Sequence, residues 1–182
     1  MAKAIAMIEF QTVASGVSAA DTMVKTAEVE LIDSSVVCPG KYIILISGDL
    51  SAVNAAVESG KTIYADKLID SYILGNPHES IFPAIYGTNE INNPKALGIV
   101  ETYSAASILA AADTAAKTAD VTLFEIRIAK GMCGKSYLFL TGDVSAVTAS
   151  VERAKELIGD RAMLIDTAVI ANPDKKTWNK II

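Results

Sequence analysis

The sequence is poor in the residues that usually carry chemistry. It has a single histidine, His78, and two cysteines, Cys38 and Cys133, in 182 residues. One histidine leaves one candidate for any histidine-based triad or His-rich zinc site, and it lies in a Pro-adjacent turn, where a plain surface residue is expected. Two cysteines, with no export signal, point to a reducing cytosol, where thiols persist and can serve as metal ligands. Long apolar runs are missing as well. The strongest, Tyr42 to Ile46, is far short of the roughly 18 residues that a membrane helix needs. The opening "MAKAIAMIEF" lacks the basic start and long apolar core of a secretory signal, so none is expected. Positive charge is also scarce: 16 Lys and Arg against 21 Asp and Glu give a net charge of −5, which argues against a nucleic-acid partner.

What the chain does have is apolar surface. It is 51% hydrophobic and 20% charged, with a mean hydropathy of +0.36. A soluble chain of this kind is expected to bury part of that surface against other subunits.

It also has a repeat. "AIAMIEFQTVASGVSAADTMVKTAEVEL" from Ala4 matches "ALGIVETYSAASILAAADTAAKTADVTL" from Ala96 at an offset of 92. "GKYIILISGDLSAVNAAVE" from Gly40 matches "GKSYLFLTGDVSAVTASVE" from Gly134 at an offset of 94. "LGNP" at Leu74 meets "IANP" at Ile170 at an offset of 96. The pattern is a tandem duplication, with domains expected over 1–88 and 96–182 and a linker over 89–95.

Each half reads β-α-β-β-α-β. In the first, a strand is expected around Ile5 to Phe10, a helix over Ser18 to Lys25, and strands over Glu28 to Val37 and Lys41 to Ser47. A second helix follows from Leu50 with Asp49 as its N-cap, then a strand over Ile69 to Leu74. This order predicts an α+β fold, an α/β sandwich of two tandem ferredoxin-like units, each with two helices on one face of an antiparallel sheet. The fold alone names no function.

No catalytic set emerges. "CGKS" at Cys133 has Ala129 where a phosphate-binding loop needs glycine, and "YLFL" continues it as a strand rather than a helix. Glu9 and Glu101 recur at equivalent places, which under duplication is a shared structural role before it is an acid/base pair. Lys25 and Lys117 each end the first helix of a half. Residue physics favours a solvated lysine at a helix C-terminus, with a stem laid across a subunit edge as the alternative.

The two hairpin loops are different. Both are glycine-rich and each bears a thiol, but out of register: Cys38 aligns with Met132, and Cys133 with Pro39. Pro39 stiffens the turn beside Cys38. One chain offers too few ligands for a structural zinc or an iron–sulfur cluster, which take about four. A three-fold axis through the loop would bring three thiolates together.

These stretches, above all "ALGIVET", "ADTMVK…ADTAAK" and "GDLSAV…GDVSAV", resemble bacterial microcompartment shell proteins with tandem BMC domains, over nearly the whole chain. "VVCPGKY" is most similar to the T-type members of propanediol-utilisation shells. The resemblance implies a homotrimer whose six domains mimic a hexagonal tile, packed with other shell proteins in the bacterial cytoplasm. It implies no enzyme activity, no membrane and no nucleic acid. It also implies one [4Fe–4S] cluster per trimer, held at the central pore by three Cys38 thiolates, for electron transfer across the shell to a possible redox enzyme inside. The pore loops would be Val37, Pro39 and Gly40 with Gly131, Met132, Cys133 and Gly134. Lys25 and Lys117 fall where the family places its tile-edge lysine, and Asn76 and Asn172 where it usually has arginine. Two other readings remain: a tile whose pore passes a metabolite without a cluster, and a regulatory small-ligand-binding tandem ferredoxin-like protein.

Overall fold

The computed structural model describes residues 4–91 and 94–181. The expected bounds 1–88, 89–95 and 96–182 therefore touch positions 1–3, 92–93 and 182, which lie outside the described residues. The first unit runs β1 (Ala4–Phe10), α1 (Val13–Thr26), β2 (Val29–Val37), β3 (Lys41–Gly48), α2 (Leu50–Ile63), β4 (Leu68–Leu74) and a short α3 (Ile81–Tyr86). The second repeats it as β5 (Ala96–Thr102), α4 (Ala105–Thr118), β6 (Val121–Arg127), β7 (Ser136–Gly142), α5 (Val144–Gly159), β8 (Leu164–Ile170) and α6 (Lys175–Ile181). The sheets have matching orders, β2-β3-β1-β4 and β6-β7-β5-β8, with every neighbouring pair antiparallel. Two tandem α/β units of the expected split β-α-β kind result.

Several local expectations are corrected. The first helix starts at Val13, not Ser18, because Thr12 caps it by accepting the Ser15 N–H at 3.4 Å. Gly16 inside that helix is a packing site: a Cβ there would lie 2.4 Å from the Tyr42 ring. Asp49 stands at the N-cap of α2, but its side chain makes no capping hydrogen bond. The short helices α3 and α6 were not foreseen. α6 brings Trp178 against Phe124, ring centroids 6.0 Å apart.

Period-two alternation along β1 divides the interior. Ala4, Ala6, Ile8 and Phe10 join the core under α1 and α2, while Ile5 and Met7 face the second unit. Helix α4 lies between the two sheets, touching β5, β6 and β7 of its own unit and β1 and β4 of the other. It is therefore buried almost all round, from Ala105 to Ala116, and its alanines let the sheets approach closely. Its copy α1 has one covered face, and leaves Val13, Val17 and Val24 38%, 50% and 40% exposed.

Candidate functional site: the domain junction and its paired loops

Where α4 enters the junction, its N-terminal N–H groups need acceptors. Two carboxylates of the first unit supply them. Glu9 on β1 and Asp70 on β4 are directly paired across the sheet, and both are buried. Glu9 Oε2 accepts the N–H of Ala105, the first residue of α4, at 3.0 Å. Its Oε1 accepts from Lys41 Nζ, also at 3.0 Å. Asp70 Oδ2 accepts from the hydroxyls of Ser104 and Ser107, the latter at 2.6 Å. Its Oδ1 takes Arg161 of the second unit at 2.6 Å and the Ser71 N–H at 2.8 Å. Negative charge at a helix N-terminus, with a cation beside each carboxylate, is favourable on both counts. Burial still wins at Glu9: it pushes the carboxyl pKa upward, against the lowering pull of Lys41 and of the Ala105 N–H.

Lys41 leads from this network to the loops. It begins β3, directly after the hairpin tip Cys38-Pro39-Gly40, where the Gly40 N–H donates to Val37 O at 2.9 Å. The Cys38–Pro39 peptide is cis. Cys38, Pro39 and Gly40 are exposed and Val37 is buried. The loop of the second unit lies alongside. Gly134 has φ of +83°, and a Cβ there would come within 2.9 Å of Lys41 Nζ and 3.0 Å of the Cys38 carbonyl oxygen. Only glycine fits that approach. The structure thus sets the two cysteine-bearing loops side by side in one chain, with Cys38 and Cys133 both free and exposed.

The second loop is the longer. β2 pairs with β3 as far as Val37↔Lys41, whereas β6 and β7 separate after Arg127↔Tyr137. Gly131 and Cys133 both take positive φ, +76° and +52°. Met132 is half-buried and its carbonyl accepts the Lys135 N–H at 3.1 Å. Among the described residues, no group of three or more His, Cys, Asp and Glu in one chain could hold a metal ion.

Of the edge residues, Lys117 spans the junction. Its Nζ donates to the Asn76 carbonyl and to Asp113, both at 2.6 Å. Asp113 also accepts the His78 N–H at 2.8 Å, and the His78 ring pairs with the Ser80 hydroxyl at 2.8 Å. The lone histidine is a structural residue of this corner. Lys25 repeats only the helix half of the arrangement, binding Asp21 at 2.6 Å, and Asn172 is exposed. Sequence reasoning missed Asp70, Ser104, Ser107 and Arg161. The signal was present in part, since Thr12, Ser15 and Asp166 copy the first three.

Comparison with known proteins gives the chain a family. The BMC-domain profile matches residues 4–77 and again 96–173. The chain belongs to the BMC-domain family. Over all 182 residues it is 40% identical to the bacterial microcompartment shell protein PduT of Citrobacter freundii, covering 99% of that protein. A carboxysome shell protein, CsoS1 of Synechococcus sp., is 37% identical over 92 residues, 49% of this chain and 89% of its own. The crystal structure of a microcompartment protein from Desulfitobacterium hafniense superposes with a TM-score of 0.86 at 45% identity, over 98% of this chain and 99% of that one. The fused permuted hexameric shell protein MSM0275, at 19% identity and a TM-score of 0.65, shares the fold. The chain is a tandem-BMC shell protein of a bacterial microcompartment in the cytoplasm, a structural component and not an enzyme. No described helix is long and apolar enough to cross a membrane.

Proposed function

We propose that three chains close into a ring-shaped tile of six BMC domains that packs beside other shell proteins, and that the tile holds a [4Fe–4S] cluster at its centre. The observation that carries this reading is the juxtaposition of the two loops. Cys38 stands exposed at a hairpin tip, its carbonyl against Gly134 of the other domain. A ring that repeats this neighbour relation places all six loops around one opening.

The donor set fits the group only across chains. One exposed thiol per chain becomes three thiolates on a three-fold axis, and a cluster with three cysteine ligands keeps its fourth iron for water or a small outside ligand. When bound, such a cluster supplies one-electron transfer, here across the tile toward a redox enzyme in the lumen. The chain's own contribution is positional. Val37 is anchored in the core, the Gly40 N–H to Val37 O bond closes the turn, and Gly134, with no Cβ, leaves room for the Cys38 carbonyl beside it. Cys133 lies one residue out of register with Cys38, and Gly131 and Met132 shape its loop without adding a thiolate.

The test is anaerobic purification with electron paramagnetic resonance before and after reduction. Wild type and Cys133→Ser are expected to be brown and to give a cluster signal, and Cys38→Ser to be a colourless trimer. A colourless, metal-free wild type after anaerobic iron–sulfur reconstitution removes the cluster and leaves a tile with an open metabolite pore.

A further inference from the structure

We propose that Glu101 and Asp166 dock onto the N-terminus of α1 in a second copy of this chain, repeating between chains the junction that Glu9 and Asp70 make with α4 within one. The inference rests on the ring reading above and assigns the residues that close the ring.

Both halves of the internal junction are duplicated. The second copies, the pair Glu101 and Asp166 and the pair Thr12 and Ser15, make no side-chain hydrogen bond from one pair to the other or to another unit among the described residues. Glu101 and Asp166 are paired across β5 and β8 just as Glu9 and Asp70 are paired across β1 and β4. In the second unit, however, Asp166 is exposed and Glu101 half-buried. Asp166 holds only the Thr167 N–H, at 2.8 Å, and neither carboxylate has an ion-pair partner among the described residues. Two carboxylates side by side on a sheet repel unless something cationic or electropositive faces them. At the other end of the chain, Thr12 and Ser15 copy Ser104 and Ser107 at the start of α1. A helix N-terminus with two hydroxyls is what Glu9 and Asp70 bind in the first junction. At α1 the two hydroxyls pair with each other at 2.7 Å and Ser15 Oγ donates to the Thr12 carbonyl at 3.0 Å, bonds that a docked carboxylate exchanges for its own.

The surroundings agree. Val13 and Val24 are 38% and 40% exposed, where their copies Ala105 and Ala116 are 0% and 9%. Val17, 50% exposed, copies fully covered Leu109, and Ile170, 39% exposed, copies covered Leu74. Lys41 fills the space over Gly134, yet nothing lies within 4 Å of the Cβ direction of Gly40, the copy of Gly134. Lys135, which copies Lys41, is exposed and makes no ion pair among the described residues. In the assembled ring Lys135 reaches its own Glu101 and crosses the partner's Gly40. Lys25, bound among the described residues only to Asp21, takes the Asn172 carbonyl of the next chain as Lys117 takes that of Asn76. The carboxylate face and the helix face lie on different domains, so the contact is head-to-tail and has to be satisfied by another chain.

Two variants test this. Glu101→Lys with Asp166→Lys removes the carboxylate face. Val13→Glu with Val17→Glu blocks the helix face at two exposed positions and leaves α1 with an acid in its first turn, which favours the helix itself. Each variant is expected to keep the wild-type circular dichroism and to sediment as a monomer where wild type is a trimer. Mixed in equal amounts, they retain one intact pair of faces and are expected to form a 1:1 dimer, at least 10-fold tighter than either variant associates with itself. A carboxylate variant that still forms trimers within 3-fold of the wild-type concentration dependence overturns the assignment, as does a mixture of folded variants that stays monomeric. A wild type that is monomeric at every concentration instead overturns the ring reading on which the assignment rests.

Discussion

Replacing Asp70 with alanine is the sharpest perturbation of the internal junction. Its carboxylate is 8% exposed and serves four donors: Ser104, Ser107, Arg161 and the Ser71 N–H. Ser104 and Ser107 are fully buried, so alanine leaves two hydroxyl donors without their acceptor where water does not reach, at about 1–3 kcal/mol each, although Ser104 Oγ keeps the Ser107 N–H at 3.0 Å. Arg161 loses its anion as well. Its side chain is 28% exposed and its guanidinium lies 5.0 Å from the centre of the Tyr72 ring, so it can turn partly to solvent and recover some of the loss. Removing one partner from a buried pair costs about 3–5 kcal/mol, and the hydroxyl losses lead to the same range. At about 2–4 °C per kcal/mol for a chain of this size, the melting temperature should fall by roughly 6–20 °C. Urea unfolding at a protein concentration too low for assembly measures the effect free of mass action. The same change at Asp166, which holds only a backbone N–H, should cost below about 1 kcal/mol under those conditions. Equal losses at the two positions, or a loss under about 1 kcal/mol at Asp70, would refute the claim that charge-assisted capping of α4 holds the domains together.

Three further outcomes follow from the same structure. Burial raises the Glu9 pKa above its ordinary 4.5, so the folded state binds this proton more tightly than the unfolded chain, and Glu9 adds stability as pH falls from neutral toward 4.5. The melting temperature of wild type minus that of Glu9→Gln should therefore grow as pH is lowered through that window; a difference that shrinks has the wrong sign. Gly16→Ala improves helix propensity by about 1 kcal/mol but drives a Cβ to 2.4 Å from Tyr42, and overpacking costs about 1–3 kcal/mol, so urea denaturation should show a net loss despite the better helix former. Trp178→Ala should cost about 3–5 kcal/mol by the same assay and blue-shift no residual tryptophan signal, since Trp178 is the only tryptophan; an unchanged midpoint would mean that α6 does not seal the Phe124 face.

The duplication and its strand order were legible in the sequence because both are periodic: apolar alternation marks each strand, and the offsets of 92, 94 and 96 mark the copies. The start of α1 was not legible, since "TVASGV" mixes β-branched residues with glycine and has the composition of a turn. What makes it helical is the Thr12 cap and the Tyr42 ring that fills the place of a Cβ on Gly16, and both are tertiary facts. The hairpin thiols could be singled out by their position before Pro-Gly and in the copied loop. The Asp70 network could not, because it joins residues from different copies, 34 to 91 positions apart.

Repetition was also misleading in one respect. Glu9 and Glu101 look equivalent in sequence, but a chain with two domains has only one internal junction, so Glu9 is fully buried while its copy is half-exposed. The substitutions along the two helices follow the same asymmetry. Within the chain, a domain meets its neighbour at a high effective concentration set by the connecting segment, and alanine at positions 105 and 116 of α4 suffices. Between chains, association also has to offset lost translational and rotational freedom. Valine at positions 13 and 24 of α1 then buries more apolar surface per contact than alanine would. Leu109 against Val17 runs the other way, so the trend lies in the first and last turns of the helix, next to the carboxylates at one end and to Lys25 at the other. If that distribution reflects docking, shaving Val13 and Val24 to the alanines of α4 should leave the monomer's unfolding midpoint nearly unchanged. The concentration at which the ring assembles should rise instead.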